Sequence, residues 1–219
     1  MRLLDLFCGA GGAGMGYHRA GFTVVGVDCN AQKRYPFEVH CADAFEYLAL
    51  HGAEFDAIHA SPPCQAFTDL KRMHNAKDHP DLLTPMREAL ARTGKPYIIE
   101  NVEGAPMRGY VTLCGTMFGL GAEDAELWRH RRFETNFVLP VPGPCRHRVK
   151  PRVIGVYGGH GRDRRRTTNT QDFSTDARRQ AMGIDWMNGM ELSQAIPPVY
   201  TNWIGAHLMR HLREEGQCQ

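Results

Sequence analysis

The sequence predicts an α/β fold built on a mostly parallel sheet, and three observations carry that prediction. Short apolar runs alternate with helix-like segments through the first half of the chain. These runs are too apolar to leave one face in water, so helices are expected to cover the sheet on both sides. The first run enters a glycine cluster, and the later ones end on aspartate, a proline pair or glutamate, which puts polar chemistry at strand ends.

The elements follow in order. "RLLDLF" reads as a strand ending in the glycine cluster "CGAGGAGMG", and "GMGYHRAG" as a helix stopped by Gly21. "FTVVGVD" is a second strand with Asp28 at its end, "FEVHCAD" a third ending at Asp43, and "FDAIHASPP" a fourth. "LTPMREALARTG" is helical, with Thr84 as N-cap, Pro85 at the first helical position and Gly94 as C-cap. "KPYIIENV" is a fifth strand, ending at Glu100. From Arg129 to Arg166 the chain is rich in proline, glycine and arginine, with "RVIGVYGG" as its one clear strand. "YTNWIGAHLMRHLREEG" is an amphipathic helix, in which Trp203, Ile204, His207, Leu208 and Leu212 recur at helical spacing. Three regions are expected: a cofactor-binding and catalytic part over 1–132, a reduced recognition part over 133–175, and a segment over 176–219 that returns to the first.

Composition sets the class. With 219 residues, 42% hydrophobic and 23% charged, the chain can bury one sizeable core. It has no apolar run of about 18 residues or more, so no membrane span is expected. Glycines interrupt the opening "MRLLDLFCGAGG" too soon for a signal peptide. The seven cysteines form no CxxC pair, which predicts free thiols and a cytoplasmic setting rather than a disulfide framework. Cys145 and His147 in "CRH" are two ligands where a structural zinc site needs four, so this stretch is expected to be exposed loop, and no metal is expected. The net charge of +2 says little, but its distribution says more. "DLKRMHNAK" carries Lys71 and Arg72, and "CRHRVKPR" with "GGHGRDRRR" carries Arg162, Arg164, Arg165 and Arg166, a density suited to phosphate and guanine contact.

A strand, a glycine-rich turn and a helix together make a nucleotide-type signature, because glycines admit the ligand and the helix N-terminus favours negative charge. Asp28 stands where a ribose hydroxyl would be held, and Asp43 where an adenine amino group would lie. Either aspartate alone is equally well explained as a helix cap or turn residue. The pair, following "DLFCGAGG", favours a ligand with one adenosine and a short tail, such as S-adenosyl-L-methionine. In "SPPCQAF" the two prolines cannot continue a ladder, so Cys64 sits on a stiff loop at the sheet rim, a poor place for a structural thiol and a good one for a nucleophile.

"DLFCGAGG", "SPPCQAF" and "ENV", in this order on successive strand ends, resemble the DNA cytosine-5 methyltransferase family, and in particular its short phage-like members. "LWRHRRFET" resembles the family's Arg-x-Arg motif at Arg129 and Arg131, and "AIPPVYTNWIG" its closing motif. The resemblance implies a Rossmann-like, S-adenosylmethionine-dependent methyltransferase sheet. It implies Cys64, Glu100, Arg129 and Arg131 as catalytic residues. Phe7, Gly9, Ala10, Gly12, Asp28, Cys29, Asp43, Ala44, Pro63 and Gln194 would contact the cofactor, with Phe7 stacked near the adenine. Gln65, Lys71, Arg72 and the arginines from Arg162 to Arg166 would contact double-stranded DNA. The chemistry implied is addition of the Cys64 thiolate to carbon 6 of a flipped-out cytosine, which makes carbon 5 nucleophilic.

Two departures from the family pattern stand out. The interval after Arg131 is too short for a recognition domain with its own core, so one or two strands with loops are expected there. Gln194 replaces the family's asparagine, which bears on cofactor affinity. The expectation is a monomeric, stand-alone modification enzyme of the kind found in restriction-modification. Two other readings remain open at this stage. One is a tRNA cytosine methyltransferase, whose Cys-Phe-Thr signature is missing here. The other is a DNA-binding relative without activity, against which the presence of both Cys64 and Glu100 argues.

Overall fold

The computed structural model describes residues 1–64, 67, 80–149, 152–157, 170–171 and 173–217. Among the described residues the strands, in chain order, are β1 (Arg2–Leu6), β2 (Thr23–Asp28), β3 (Glu38–Cys41), β4 (Ala57–Ala60), β5 (Tyr97–Asn101), β6 (Val111–Leu113), β7 (Gly121–Ala122), β8 (Ala125–Glu126), β9 (Arg131–Thr135), β10 (Arg152–Ile154) and β11 (Thr170–Gln171). The helices are α1 (Gly12–Arg19), α2 (Ala44–His51), α3 (Leu83–Arg92), α4 (Thr175–Met182), α5 (Gly189–Gln194) and α6 (Pro198–Gln217). No helix of the described residues is long and apolar enough to cross a membrane.

Seven strands form the main sheet in the order β3-β2-β1-β4-β5-β9-β6. The first five named are parallel, and β9 runs antiparallel to both β5 and β6. The chain starts in the middle at β1, walks outward to β3, then returns to β4 on the other side. The crevice between the ends of β1 and β4 is therefore the switch point where such sheets bind ligands. One face is covered by α1 and α6, with Tyr17, Tyr200, Ile204 and Leu208 fully buried. The other is covered by α2 and α3 through Leu48, Leu83, Met86 and Leu90.

Several expectations are corrected by this architecture. The third strand stops at Cys41, and Asp43 is the N-cap of α2, accepting from the N–H groups of Phe45 and Glu46. Helix α3 starts at Leu83 rather than after Thr84, because Asp81 caps it from outside by accepting from the N–H groups of Leu83 and Thr84. Pro85 then falls inside the first turn, where its missing N–H has no intrahelical partner to lose. The main sheet also continues past residue 132, since β9 lies between β5 and β6.

The second half holds more core than its length predicts. A four-stranded sheet, β11-β10-β8-β7, packs with α4 and α5 around Leu127, Ile154, Val156, Phe173, Met182 and Leu192. This core has no single sequence interval. It is assembled from residues before the arginine-rich stretch, within it and after it, and Ala10 of the glycine loop joins it.

A buried ion pair ties α3 to β9. Arg87 donates from Nε to Glu134 Oε1 at 2.6 Å and from NH2 to Oε2 at 3.0 Å, and the Arg108 N–H also reaches Oε2. Both side chains are under a tenth exposed. Removing one partner strands the other charge, so Glu134→Ala should lower the unfolding free energy by about 3–5 kcal/mol. Urea unfolding of the two proteins measures this, and a loss under about 1 kcal/mol would mean that the pair is solvated.

Candidate active site

The glycine loop leaves β1 through Phe7, whose φ of 58° is left-handed, and turns at Gly11 with φ 86°. A Cβ on Gly11 would lie 2.7 Å from the Pro36 ring, and one on Gly12 would lie 2.5 Å from the carbonyl oxygen of Ile196. Gly12 is thus a packing glycine, there to admit the returning C-terminal segment. Asp28 Oδ2 accepts from the Gly9 N–H at 3.1 Å, and Oδ1 accepts from the Asn30 N–H at 2.9 Å. The half-buried Phe7 ring packs edge-on against Phe45, their centroids 6.5 Å apart. The Ala10 carbonyl accepts from Trp186 Nε1 at 2.8 Å, a contact with no local signal in the sequence. Cys29 and Gln194 are exposed, and Ala44 is buried as the first residue of α2.

This donor set fits a nucleoside cofactor. A carboxylate stands at the end of β2, an aromatic ring forms a wall at Phe7, and backbone amides open α1. Asp43 contributes its Oδ1 to the helix cap, which is the alternative open to it in the sequence.

Across the switch point, β4 ends in Ser61, Pro62, Pro63 and Cys64, with Pro63 exposed and Cys64 half-buried. The Ser61 N–H donates to the Leu6 carbonyl, joining this loop to the end of β1. Asn101 Nδ2 donates to the Pro62 carbonyl at 3.0 Å, so the residue after Glu100 holds the loop that carries Cys64. Arg131 Nε lies 3.1 Å from Glu100 Oε1, with both side chains largely buried. Burial pushes the Glu100 carboxyl up, against the pull of Arg131, the Ser61 hydroxyl and Arg129. Burial pushes the Cys64 thiol up as well, Arg131 draws it back down, and Glu100 raises it further.

A buried hydrogen-bond chain leads to this pair, and it has no local signal in the sequence. Tyr17 Oη lies 2.9 Å from His59 Nδ1, and His59 Nε2 lies 2.9 Å from Ser61 Oγ, which in turn bonds the Glu100 side chain. Complete burial lowers the His59 pKa to about 3, so the ring is neutral. With the carboxylate accepting from Ser61, the serine accepts from Nε2–H and Nδ1 accepts from Tyr17, which fixes the tautomer.

Arg129 departs from its expected place at the base. It is 2% exposed, and its guanidinium donates to the carbonyls of Ala195, Ser193 and Val156. Tyr200 Oη donates to the Arg129 carbonyl at 3.0 Å. Burial, with Arg131 next to it, lowers its pKa to about 9, so it stays cationic at neutral pH. The Arg-x-Arg pair divides its labour, since consecutive odd positions at a strand start need not share an environment. Arg131 faces Glu100, and Arg129 fastens the C-terminal segment.

Gln65, Lys71, Arg72, Arg162, Arg164, Arg165 and Arg166 lie outside the described residues. Of the basic cluster within them, Arg148 is tied to Glu126 at 2.7 Å, and Arg152 donates to the Glu123 carbonyl and covers the Phe173 ring. Cys145 and His147 are exposed as expected but are not an isolated pair: Cys114 and His130 meet them, a convergence across the fold that local spacing could not reveal.

Residues 1–107 match the model of the C-5 cytosine-specific DNA methylase family. That span holds the glycine loop, the Pro-Pro-Cys loop and the Glu-Asn-Val strand end. Over these residues, just under half of the chain, the protein is similar to this family. Among curated relatives, the type II methyltransferase M.AgeI of Thalassovita gelatinovora is 27% identical over 121 residues, covering 48% of this chain and 28% of that protein. The type II methyltransferase M.AquIA of Picosynechococcus sp. is 30% identical over 125 residues, covering 47% of this chain and 49% of that protein. The matched stretch is less than half the length of either relative. Two solved structures align with the whole chain. A candidate DNA modification methyltransferase encoded within an E. coli prophage aligns with a TM-score of 0.64 and 13% identity, over 97% of this chain and 99% of that one. The S. pombe Dnmt2 methyltransferase aligns with a TM-score of 0.58 and 16% identity, also over 97% and 99%. At such identities the likeness is one of fold, and the fold is that of an α/β methyltransferase with a mixed, mostly parallel sheet of seven strands.

Two measurements test this site. Arg129→Met leaves the carbonyls of residues 193–195 without their donor, at about 1–3 kcal/mol for each buried carbonyl left unpaired. Hydrogen exchange should rise across residues 186–196, and Arg131→Met should leave that region protected. Equal exchange in both variants would remove Arg129 as the fastener. For His59, the unfolded ring binds a proton below pH 6.5 and the folded ring does so only near 3. The contribution of His59 to stability should therefore be flat above pH 6.5 and fall with acid by up to about 1.4 kcal/mol per pH unit between those values, opposite in sign to that of Asp5, whose buried carboxyl is raised to about 7. His59→Gln should remove that component, so the wild type should lose more stability than the variant between pH 7 and pH 5. Parallel acid limbs would mean that the ring is protonated in the fold.

Proposed function

We propose that this protein methylates carbon 5 of cytosine in double-stranded DNA, with Cys64 as covalent nucleophile and S-adenosyl-L-methionine as methyl donor. The observation that carries this reading is the convergence of Cys64 with the Glu100–Arg131 pair at the sheet's switch point, on loops joined by the Asn101–Pro62 hydrogen bond. S-adenosyl-L-methionine, when bound, supplies the electrophilic methyl group.

The chain's own residues would then act as follows. The target cytosine leaves the helix, since carbon 6 is out of reach inside a duplex. The Cys64 thiolate adds to carbon 6, and the displaced electron pair makes carbon 5 nucleophilic. Glu100 in its acid form holds ring nitrogen 3 and the exocyclic amine, and its burial favours that form. Arg131 holds the oxygen on carbon 2 and steadies the thiolate. After methylation the carbon 5 proton is lost to a base, the electron pair re-forms the ring double bond, and Cys64 departs as thiolate. Asp28, Phe7 and the backbone of Gly9 would hold the cofactor. Arg129 supports this work indirectly by holding residues 193–195. The arginines from Arg162 to Arg166 would supply base and phosphate contacts, together with Gln65, Lys71 and Arg72.

Trapping the covalent intermediate tests this directly. Duplex DNA containing 5-fluorocytosine should form a denaturation-resistant adduct with the wild type in the presence of S-adenosyl-L-methionine, because fluorine at carbon 5 cannot leave as a proton. Cys64→Ala should form none and should lose methyl transfer by several orders of magnitude while keeping cofactor binding by calorimetry. An active enzyme that yields no adduct, or a Cys64→Ala protein that still methylates, would overturn the assignment.

A further inference from the structure

Four thiol and imidazole groups that the proposed mechanism does not use meet in one cluster. Cys114, His130, Cys145 and His147 bring one donor atom each to within 4.8 Å of one another. They come from three separate parts of the chain. Cys114 follows β6, His130 precedes β9, and Cys145 with His147 lies in the irregular stretch after β9. The closest approaches are sulfur to nitrogen: Cys145 Sγ to His147 Nε2 at 3.0 Å, Cys114 Sγ to His147 Nε2 at 3.4 Å, and Cys145 Sγ to His130 Nε2 at 3.4 Å. A tetrahedral ion with zinc's bond lengths to sulfur and nitrogen separates such donors by about 3.6 Å, so these three separations lie within about 0.6 Å of what one ion requires, and no pair of the four is farther apart than 4.8 Å.

The surroundings point the same way. Both histidines present Nε2 to the sulfurs. The Nδ1 of His130, its remaining ring nitrogen, lies 3.9 Å from Glu103 Oε2, beyond a hydrogen bond but close enough for the carboxylate to attract a ring N–H there. Trp128 stacks flat on His147, centroids 4.0 Å apart and planes 4° from parallel, which fixes that ring. Thr116 Oγ1 lies 3.2 Å from Cys114 Sγ and 3.7 Å from Cys145 Sγ, placed to donate to a thiolate. Thiols and neutral imidazoles make only weak hydrogen bonds with one another, which is a poor reason for four of them to gather from three segments.

We propose that Cys114, His130, Cys145 and His147 bind one zinc ion in a closed, structural site. Four protein ligands leave no open position for substrate, and a donor set of two sulfurs and two nitrogens selects zinc over magnesium or calcium. The consequence is local and mechanical. His130 sits between Arg129, which fastens the C-terminal segment, and Arg131, which faces Glu100. The ion would pin that turn to the end of β6 and to the loop that leads into the arginine-rich stretch. It would brace the catalytic arginine and anchor the start of the recognition region.

The test uses the full chain. Purified from zinc-supplemented medium under reducing conditions, the wild type should carry about one zinc per chain by elemental analysis after gel filtration. Replacement by Co²⁺ should give the visible absorption of a tetrahedral ion together with thiolate-to-cobalt charge transfer. X-ray absorption at the zinc edge should report two sulfur and two nitrogen neighbours, a readout that needs no variant. Cys145→Ser and His147→Asn should each lower retained zinc at least tenfold, with Cys8→Ser as a control that keeps it. Three outcomes would overturn the proposal: a wild type that retains no zinc and shows free thiols, a Cys114–Cys145 disulfide by mass mapping, or zinc retained undiminished in both ligand variants.

Discussion

Burial of one guanidinium organises the second half of this molecule. Arg129 has its charge withdrawn from water, and its guanidinium donates to backbone carbonyls, of Val156 and of the turn over residues 193–195. A buried cation is tolerated only when its donors are paired, so the segments that supply those carbonyls are held to fixed positions. One of them begins where β10 ends, and the other immediately precedes α6. The small second core, the start of the C-terminal helix and the strand that carries Arg131 thus share a single fastening. Tyr200 from α6 closes it by donating to the Arg129 carbonyl.

The same segment constrains the glycine loop from the opposite side. Helix α6 packs on α1 closely enough that the Thr201 hydroxyl donates to the Ala13 carbonyl at 2.8 Å. Gly12 leaves room for the Ile196 carbonyl, and Trp186 holds the Ala10 carbonyl. The glycine cluster therefore has two functions that its sequence does not distinguish. Some of its glycines shape a tight turn, and others allow a helix from the far end of the chain to close over it. Arg129 and the glycine loop both contact residues 193–196, without a direct contact between them among the bonds named above.

What was legible in the sequence was local. Prolines after "FDAIHA", glycines after "RLLDLF" and acids after apolar runs mark strand ends because each acts on the backbone within a few residues, and β1, β2, β4 and β5 lie where those signals put them. The candidates Cys64, Glu100 and Asp28 were singled out at those same strand ends. Strand β9 was not, because "RRFET" has little apolar alternation. It is a strand because β5 and β6 leave a slot between them, and its register sets Glu134 opposite Ile99 and Phe133 opposite Glu100. The chain from Tyr17 through His59 to Ser61 joins a helix to a strand 42 residues away at the histidine. The meeting of Cys114 and His130 with Cys145 and His147 spans 33 residues between Cys114 and His147. No window-based pattern carries such pairs, and a two-residue scrap in sequence becomes a four-ligand cluster only when β6 and β9 are brought side by side.

The electrostatics of Cys64 and Glu100 follow from their sharing one dry corner with one mobile negative charge. Burial raises both groups, and the ionised carboxylate raises the thiol further. A proton on Glu100 removes that repulsion and makes the thiolate easier to form, so the state of the carboxyl bears on that of the thiol. Arg131 then faces a single negative charge, which it can share between sulfur and carboxylate. Neutral His59 is what keeps this balance. It lets Ser61 donate to Glu100 without adding a second positive charge, which would hold the carboxylate ionised and deprive the proposed reaction of its acid. The buried imidazole is therefore part of the site by virtue of the charge it does not carry.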